Sequence, residues 1–151
     1  MLRGYQIPEA GRQAKGSAVV NLLPLRSEEK ITAVINVHDF EDTKYLVMAT
    51  DRGMVKRCRL AEVSSVRKNG IKAVTLHDGE ELIGVKITEG NNSILLGTRD
   101  GMAIHFDEKD VSCMSRKAHG VAGIDLHEED RVVAMDVVRD DAGYVLSVTE
   151  N

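Results

Sequence analysis

The chain has no tryptophan, and its other aromatic residues are only three tyrosines and two phenylalanines. Because aromatic residues make up 3% of the sequence and hydrophobic residues 42%, Val, Ile, Leu and Met must fill the core, and the β-branched residues among them favour strands. No apolar run approaches the roughly 20 residues of a membrane span, and the amino terminus has no apolar signal region. We therefore expect a soluble, cytoplasmic protein with no membrane partner.

Metal-ligand spacings and catalytic groupings are also lacking. Cys58 and Cys113 have no Cys or His at a metal-ligand spacing, so we interpret them as free thiols in a reducing compartment. The five histidines are scattered, and no Ser/His/Asp arrangement or phosphate-binding glycine loop is found. The acidic clusters fall in turns, which is typical of solvated loop ends. We expect no metal, no cofactor and no enzyme activity in this chain alone.

The sequence does contain a unit that recurs about every fifty residues. Residues 49–54, Ala-Thr-Asp-Arg-Gly-Met, return as Gly-Thr-Arg-Asp-Gly-Met at residues 97–102, an offset of 48. The flanking apolar segments recur at residues 31–34, 82–85 and 132–135. A period of roughly 40 to 50 residues filled with short strands is typical of propeller blades.

Short apolar runs between Gly, Asn and Asp turns predict about four strands in each repeat. The predicted strands are residues 18–25, 31–37, 45–50, 54–57, 71–76, 82–88, 93–98, 102–106, 121–126, 132–138 and 144–149. Gly53 and Gly101 should lie at equivalent hairpins, while residues 60–67 and 107–116 should form either short helical turns or extended crossovers. The residues expected to be largely buried are Ile31, Val34, Leu82, Val85, Val132 and Met135.

The predicted fold class is all-β, with propeller-like blades of about four antiparallel strands and roughly three blades present. We assign residues 1–151 to one domain, with a partial repeat at 1–27, full repeats at 28–77 and 78–127, and a partial repeat at 128–151. The last repeat stops in mid-blade, which would leave an open sheet edge. The sequence therefore predicts a fragment of a larger domain.

The net charge of −4 conceals a segregation of positive and negative residues along the chain. Seven basic residues and one acidic residue lie between residues 52 and 72. Turns that combine bases with a glycine recur at residues 12–16, 66–70 and 116–120. Phosphate contact needs a reachable cation, and a glycine lets the backbone approach closely. Each turn alone is compatible with a solvated loop, but their recurrence favours a basic edge that contacts phosphates.

Five further segments are distinctive when they are taken together: Lys-Gly-Ser-Ala-Val-Val-Asn-Leu-Leu-Pro-Leu at 15–25, Tyr-Leu-Val-Met-Ala-Thr at 45–50, Asn-Gly-Ile at 69–71, Glu-Leu-Ile-Gly-Val at 81–85 and Leu-Leu-Gly-Thr-Arg-Asp-Gly at 95–101. With these segments the chain resembles the carboxyl-terminal domain of the A subunit of DNA gyrase. The sequence departs from the family at His105, where an arginine is frequent. It also lacks the signature Gln-Arg-Arg-Gly-Gly-Lys-Gly, of which residues 10–16 keep only Arg12, Lys15 and Gly16.

The resemblance implies a β-pinwheel whose blades exchange strands and bend DNA around a positively charged rim. It implies a non-catalytic, DNA-wrapping module of a type IIA topoisomerase, which supports ATP-dependent negative supercoiling in the intact enzyme. Implied partners are double-stranded DNA, the remainder of the gyrase A subunit, and the gyrase B subunit, at the bacterial nucleoid, with ATP and Mg used by other domains. The alternatives are the equivalent domain of the A subunit of topoisomerase IV and a propeller-like protein-interaction scaffold.

Ten residues are the candidates for contact with DNA phosphates. They are Arg12, Lys15, Lys56, Arg57, Arg67, Lys68, Arg99, Arg116, Lys117 and His119. For Lys56 and Arg57, which lie in a predicted strand, the alternative is an edge strand protected by charge from aggregation.

Overall fold

The computed structural model describes residues 4–18, 21–23, 25, 29–65, 70–139 and 142–148. Seven strands lie in these ranges: β1 Tyr45–Thr50, β2 Met54–Arg59, β3 Leu82–Thr88, β4 Ser93–Thr98, β5 Ala103–Asp107, β6 Val121–Ala122 and β7 Val132–Val138. Short 3₁₀ helices occupy Gly4–Gln6, Leu60–Val63 and Glu108–Asp110. The described part of the chain contains no α-helix, so the all-β prediction is confirmed.

The strands form two antiparallel sheets, in the orders β3-β1-β2-β6 and β5-β4-β7. The two sheets repeat each other in detail. Thr50 pairs with Leu82 beyond a register shift after Ala49, and Thr98 pairs with Val132 beyond the same shift after Gly97. Such a shift bends a strand and increases its twist, so both sheets curve at the same place.

Each sheet takes strands from more than one sequence repeat. Strand β3 follows the first predicted full repeat in sequence, yet it pairs with β1, and β6 adds to the edge of β2 through Val55 and Val121. The sheets are also joined directly, because the Val132 amide donates to the Asp51 carbonyl at 2.8 Å and the Arg131 guanidinium binds the Asp51 carboxylate. The first sheet is therefore incomplete without residues from the second half of the chain.

The main core lies between the two sheets. Its buried members are Val47, Ala49, Val55, Ile94, Leu96, Val111, Val132 and Met135. A second cluster of Leu46, Met48, Cys58 and Leu60 lies on the other face of the first sheet. Full burial of each large aliphatic side chain contributes about 1.5 to 3 kcal/mol. Alternate residues of β1 enter the two clusters, as the two-residue period of a strand requires.

Four strands have the predicted bounds, and others differ. Residues 54–57 extend to Arg59, 102–106 shift by one residue, and 121–126 shorten to Val121–Ala122. Residues 31–37, 71–76, 144–148 and the described part of 18–25 are not strands, so those predictions are wrong. An alternating pattern needs a neighbouring strand to pair with, and within the described ranges these segments join neither sheet.

The burial predictions agree with the structure for residues that lie in strands and fail for residues that lie outside them. Val132 and Met135 are buried, and Leu82 and Val85 are half-buried. Ile31 and Val34 are 42% and 89% exposed, so their predicted burial is wrong, because the segment that carries them does not enter a sheet. In the two connecting segments, the 3₁₀ helices Leu60–Val63 and Glu108–Asp110 confirm the helical-turn alternative.

Candidate nucleic-acid interface

Two segments distant in sequence meet to form a shallow basic groove. It has a volume of about 300 Å³ and is lined by Gly70, Ile71, Lys72, Thr75, Arg116 and Lys117. Among the described lining residues, the three charged ones are all cations and none is acidic. A groove lined by charge of one sign concentrates counter-ions of the opposite sign. We call these six residues the basic groove.

Hydrogen bonds to its backbone groups hold the carboxyl-terminal wall of the basic groove, residues 115–118, in a turn. The Ala118 amide donates to the Ser115 carbonyl at 3.0 Å, and the Arg116 amide donates to the Glu62 carboxylate at 3.1 Å. Across the groove, the Thr75 hydroxyl donates to the Lys117 carbonyl at 2.7 Å. Lys117 is exposed and Arg116 is half-buried, so both cations are fixed at the backbone while their side chains reach solvent.

Glycine conformation relates the three basic turns to one another. Gly16, Gly70 and Gly120 all have positive φ, at 73°, 73° and 127°. At Gly120 a side chain is excluded as well, because a Cβ atom would lie 2.7 Å from the Val55 carbonyl oxygen. The close approach of Gly120 to β2 brings the Arg116 turn against the first sheet.

Lys56 was expected to contact phosphates, but the structure places it in the interior. Its side chain is 1% exposed, and its ammonium donates to the carbonyls of Ala73 and Arg116 at 2.6 Å and of Ala118 at 3.1 Å. Burial lowers the pKa of this ammonium, against a smaller opposing effect of Cys58 and Glu62. In this fold Lys56 is a structural cation beneath the basic groove.

Arg57 is also turned away from solvent. Its guanidinium lies 3.6 Å from the carboxylate of Glu108 and 4.7 Å from the centre of the Tyr45 ring. Glu108 itself is fully buried and accepts hydrogen bonds from the Thr88 hydroxyl and the backbone amide of Asn92. These bonds leave Arg57 inside the protein, so the structure does not support its expected contact with phosphate.

The remaining candidates lie apart from the basic groove or are already paired. Arg12 and Lys15 are exposed in the amino-terminal turn. Arg99 donates to the Glu129 carbonyl and lies 3.2 Å from the carboxylate of its neighbour Asp100. The His119 ring nitrogen is 2.7 Å from the Glu80 carboxylate, at the edge of the His77 ring. Arg67 and Lys68 lie outside the described residues.

Of the ten candidates, the structure places Arg116 and Lys117 in the basic groove, and it adds two residues that were not among the candidates. Lys72 and Thr75 complete the opposite wall. Lys72 belongs to the basic run between residues 52 and 72, which was a signal for it. Thr75 had no sequence signal, because its role depends on the Lys117 carbonyl 42 residues away.

The described ranges contain neither a metal site nor a helix that spans a membrane. Within them, no group of three His, Cys, Asp or Glu side chains is arranged to hold a metal ion. No helix there is both long enough and apolar enough to cross a bilayer.

Comparison with known proteins identifies clear relatives. The chain is 45% identical over 150 residues to the DNA gyrase A subunit of Buchnera aphidicola subsp. Baizongia pistaciae, and 44% identical over 150 residues to that of Salmonella typhimurium. Both alignments cover 99% of this chain but only 18% and 17% of the relatives. The chain thus spans less than a fifth of the length of the curated relatives it matches.

Solved structures show the same relationship. The C-terminal domain of DNA topoisomerase IV superposes with a TM-score of 0.82 at 29% identity, over 90% of this chain and 42% of that chain. The DNA gyrase A C-terminal domain superposes with a TM-score of 0.72 at 25% identity, over 84% of this chain and 42% of that chain. By structure, the chain is similar to C-terminal domains of both topoisomerase IV and gyrase. By sequence, the relatives at 44 to 45% identity are gyrase A subunits.

The family model for the DNA gyrase C-terminal domain matches three consecutive segments, residues 2–38, 44–89 and 92–139. Together they cover most of the chain, and they confirm the resemblance inferred from the sequence. The chain belongs to the DNA gyrase C-terminal domain, beta-propeller family.

Proposed function

We propose that this chain is a non-catalytic module that binds and wraps duplex DNA as part of a type IIA topoisomerase, DNA gyrase. The observation that carries the proposal is the basic groove, in which Lys72, Arg116 and Lys117 lie on a fixed backbone framework. Membership of the gyrase C-terminal family supports it. The chain's part in the reaction is to hold DNA, not to cut it.

The groove suits the phosphate backbone better than the base edges. Cations on long side chains neutralise phosphates and release condensed counter-ions, and this interaction carries no sequence information. Arg116 has the planar guanidinium that binds two phosphate oxygens at once, whereas Lys72 and Lys117 act as point charges. We expect weak binding without sequence preference, and affinity that falls as salt rises.

The family membership also supports proposals about the domain organisation of the chain and about its partners in the intact enzyme. We propose that the chain forms one part of a DNA-wrapping domain, with repeats at about 1–27, 28–77, 78–127 and 128–151. In the intact enzyme it would work with the remainder of the gyrase A subunit, together with the gyrase B subunit, in the cytoplasm at the nucleoid. ATP and Mg would be used by those other parts to drive negative supercoiling.

A salt titration of binding to mixed-sequence duplex DNA tests the proposal. Replacing the three cations of the basic groove, Lys72, Arg116 and Lys117, together by Ala should weaken binding to all sequences alike. The slope of log affinity against log salt should flatten by about 0.9 for each phosphate interaction that the substitutions remove. The control replaces three exposed cations outside the basic groove, Lys30, Lys86 and Lys109, by Ala.

Two outcomes decide the matter. A fall in affinity and slope in the groove variant, with a smaller change in the control, supports DNA binding by the groove. If the groove variant keeps both affinity and slope, the proposal is wrong. In that case, loss of binding to a protein partner on replacing the acidic turns would favour an interaction scaffold.

A further inference from the structure

Lys56 does not line the basic groove, but its side chain is hydrogen-bonded to segments on both sides of it. Lys56 lies on β2, opposite Met48 of β1, and its ammonium reaches two other parts of the chain. One is Ala73, in the segment that carries Lys72 and Thr75, and the other is the turn that carries Arg116 and Lys117. A single ammonium therefore joins both walls of the basic groove to the first sheet.

The hydrogen-bonding capacity of this ammonium is fully used. An ammonium has three N–H donors and no acceptor, and the three carbonyls of Ala73, Arg116 and Ala118 match that number. No carboxylate is bonded to Lys56 in the described structure. The arrangement is thus a cation coordinated by backbone carbonyls rather than an ion pair.

The same turn is held at each of its three carbonyls. Lys56 binds those of Arg116 and Ala118, and Thr75 binds that of Lys117, between them. Carbonyls that point inward leave the side chains of this turn to extend outward, and Lys117 is exposed. Loss of the Lys56 ammonium would remove the donor to the Arg116 carbonyl and leave the Ala118 carbonyl with the longer bond from the Thr75 amide, at 3.4 Å.

We propose that Lys56 is a positioning residue for DNA binding, which acts by holding Arg116 and Lys117 in place while remaining buried itself. This inference rests on the proposed DNA-binding function of the basic groove. It gives Lys56 an indirect role that differs from the phosphate contact expected from the sequence.

The second repeat offers a natural comparison. At the sequence offset of 48, Ile104 occupies the position of Lys56, and Ile104 is 36% exposed at the edge of its sheet. The Ile104 side chain has no hydrogen-bond donor, so it cannot bond to the carbonyls of a turn that follows. The proposed device is therefore specific to the first sheet, where β6 and the preceding turn cover β2.

Lysine acetylation of the unmodified protein, with and without duplex DNA, is the first test. Lys72 and Lys117 should react in free protein and become protected by DNA. Lys56 should stay unreactive in both states, because it is buried in both. Acetylation of Lys56 in free protein that is suppressed by DNA would show a direct contact and overturn the proposal.

A double-mutant cycle is the second test. It distinguishes an effect of Lys56 that acts through the cations of the basic groove from an effect on DNA binding that is independent of them. Lys56→Met keeps a long apolar side chain but removes the ammonium. In folded protein it should weaken DNA binding and flatten the salt slope by up to about 1.8, the value for two phosphate contacts at about 0.9 each. Lys117→Met should flatten it by only about 0.9.

The decisive background is the variant in which Lys72, Arg116 and Lys117 are all replaced by Ala, because the Lys56 ammonium binds carbonyls in both walls of the basic groove. There Lys56→Met should cause no further loss of affinity, because every cation that it could position is gone. A full additional loss in that background overturns the proposal, as does unchanged binding by folded Lys56→Met. If the variant that lacks Lys72, Arg116 and Lys117 itself binds DNA unchanged, the proposed function of the groove fails, which is a distinguishable result.

Discussion

The buried carboxylate of Glu108 lies 3.6 Å from the guanidinium of Arg57, and the two residues come from successive repeats. Glu108 begins the 3₁₀ helix after β5, at the position that Leu60 occupies after β2. Both residues at this position are buried, at 0% and 1% exposed. A position filled by an apolar side chain in one repeat is thus filled by a charge in the next, and Arg57 of the neighbouring sheet provides the opposite charge.

Glu108→Ala is expected to destabilise the protein strongly. It removes the partner of a buried guanidinium and the acceptor for Thr88 and Asn92. Breaking a buried pair by removing one partner typically costs about 3 to 5 kcal/mol. Urea denaturation measures the loss, with the exposed Glu128→Ala as the control. Equal stabilities for the two variants would show that the buried pair contributes little.

Gly53→Ala should be more destabilising than Gly101→Ala. Both glycines have positive φ at equivalent hairpins, 77° and 87°, as the sequence predicted, so each substitution carries backbone strain of about 1 to 2 kcal/mol. Only at Gly53 would the new Cβ meet neighbours, 2.8 Å from the Ile124 side chain and 3.0 Å from its carbonyl oxygen. Thermal unfolding of the two variants checks this, and a larger loss for Gly101→Ala would contradict the packing of Ile124 against Gly53.

Stability should decrease in acid partly through Glu80. Burial raises the pKa of this carboxyl, but hydrogen bonds from the His77 amide, Thr50 and His119 outweigh it, so its pKa lies below the ordinary 4.5. A lowered folded-state pKa stabilises the protein fully above the unfolded value, and this stabilisation is lost as pH falls through the folded value. The difference in unfolding free energy between wild type and Glu80→Gln should therefore shrink below pH 4.5. A constant difference across that range would contradict this assignment.

The two thiols should differ in reactivity. Cys58 is buried beside Leu60, and burial raises its pKa to about 11, whereas Cys113 is exposed. Because the thiolate is the reactive form, a thiol reagent near pH 8 should modify Cys113 first and Cys58 only on unfolding. Mass spectrometry of the labelled protein distinguishes the sites, and rapid labelling of Cys58 in folded protein would contradict its burial in the second cluster.

Local features of the sequence were enough to predict that the fold is built from repeated units, that Gly53 and Gly101 lie at equivalent hairpins, and that four strands have the bounds they have. Alternation of apolar residues and the chemistry of Gly and Asp turns act over a few residues, so they are readable without a structure. Family membership was readable for the same reason, because the characteristic segments lie along the whole chain. Segments such as 31–37 have an alternating pattern too, but pairing requires a neighbour that the pattern does not specify.

Tertiary structure alone decided which cations face solvent. Composition does not distinguish these cations, because Lys56, Arg57, Lys72 and Lys117 are all basic residues. The alternation of residues along a strand also does not show which face of the sheet other segments will cover. Lys56 is buried against three carbonyl acceptors that lie 17, 60 and 62 residues away along the chain, so its burial could not be predicted from its own segment. Lys72 and Lys117 line a groove because two connecting segments meet over the first sheet. The run of basic residues in the sequence indicated which part of the chain carries the positive charge. Whether each cation is buried or exposed depended on contacts between residues far apart in the sequence, which form only in the folded chain.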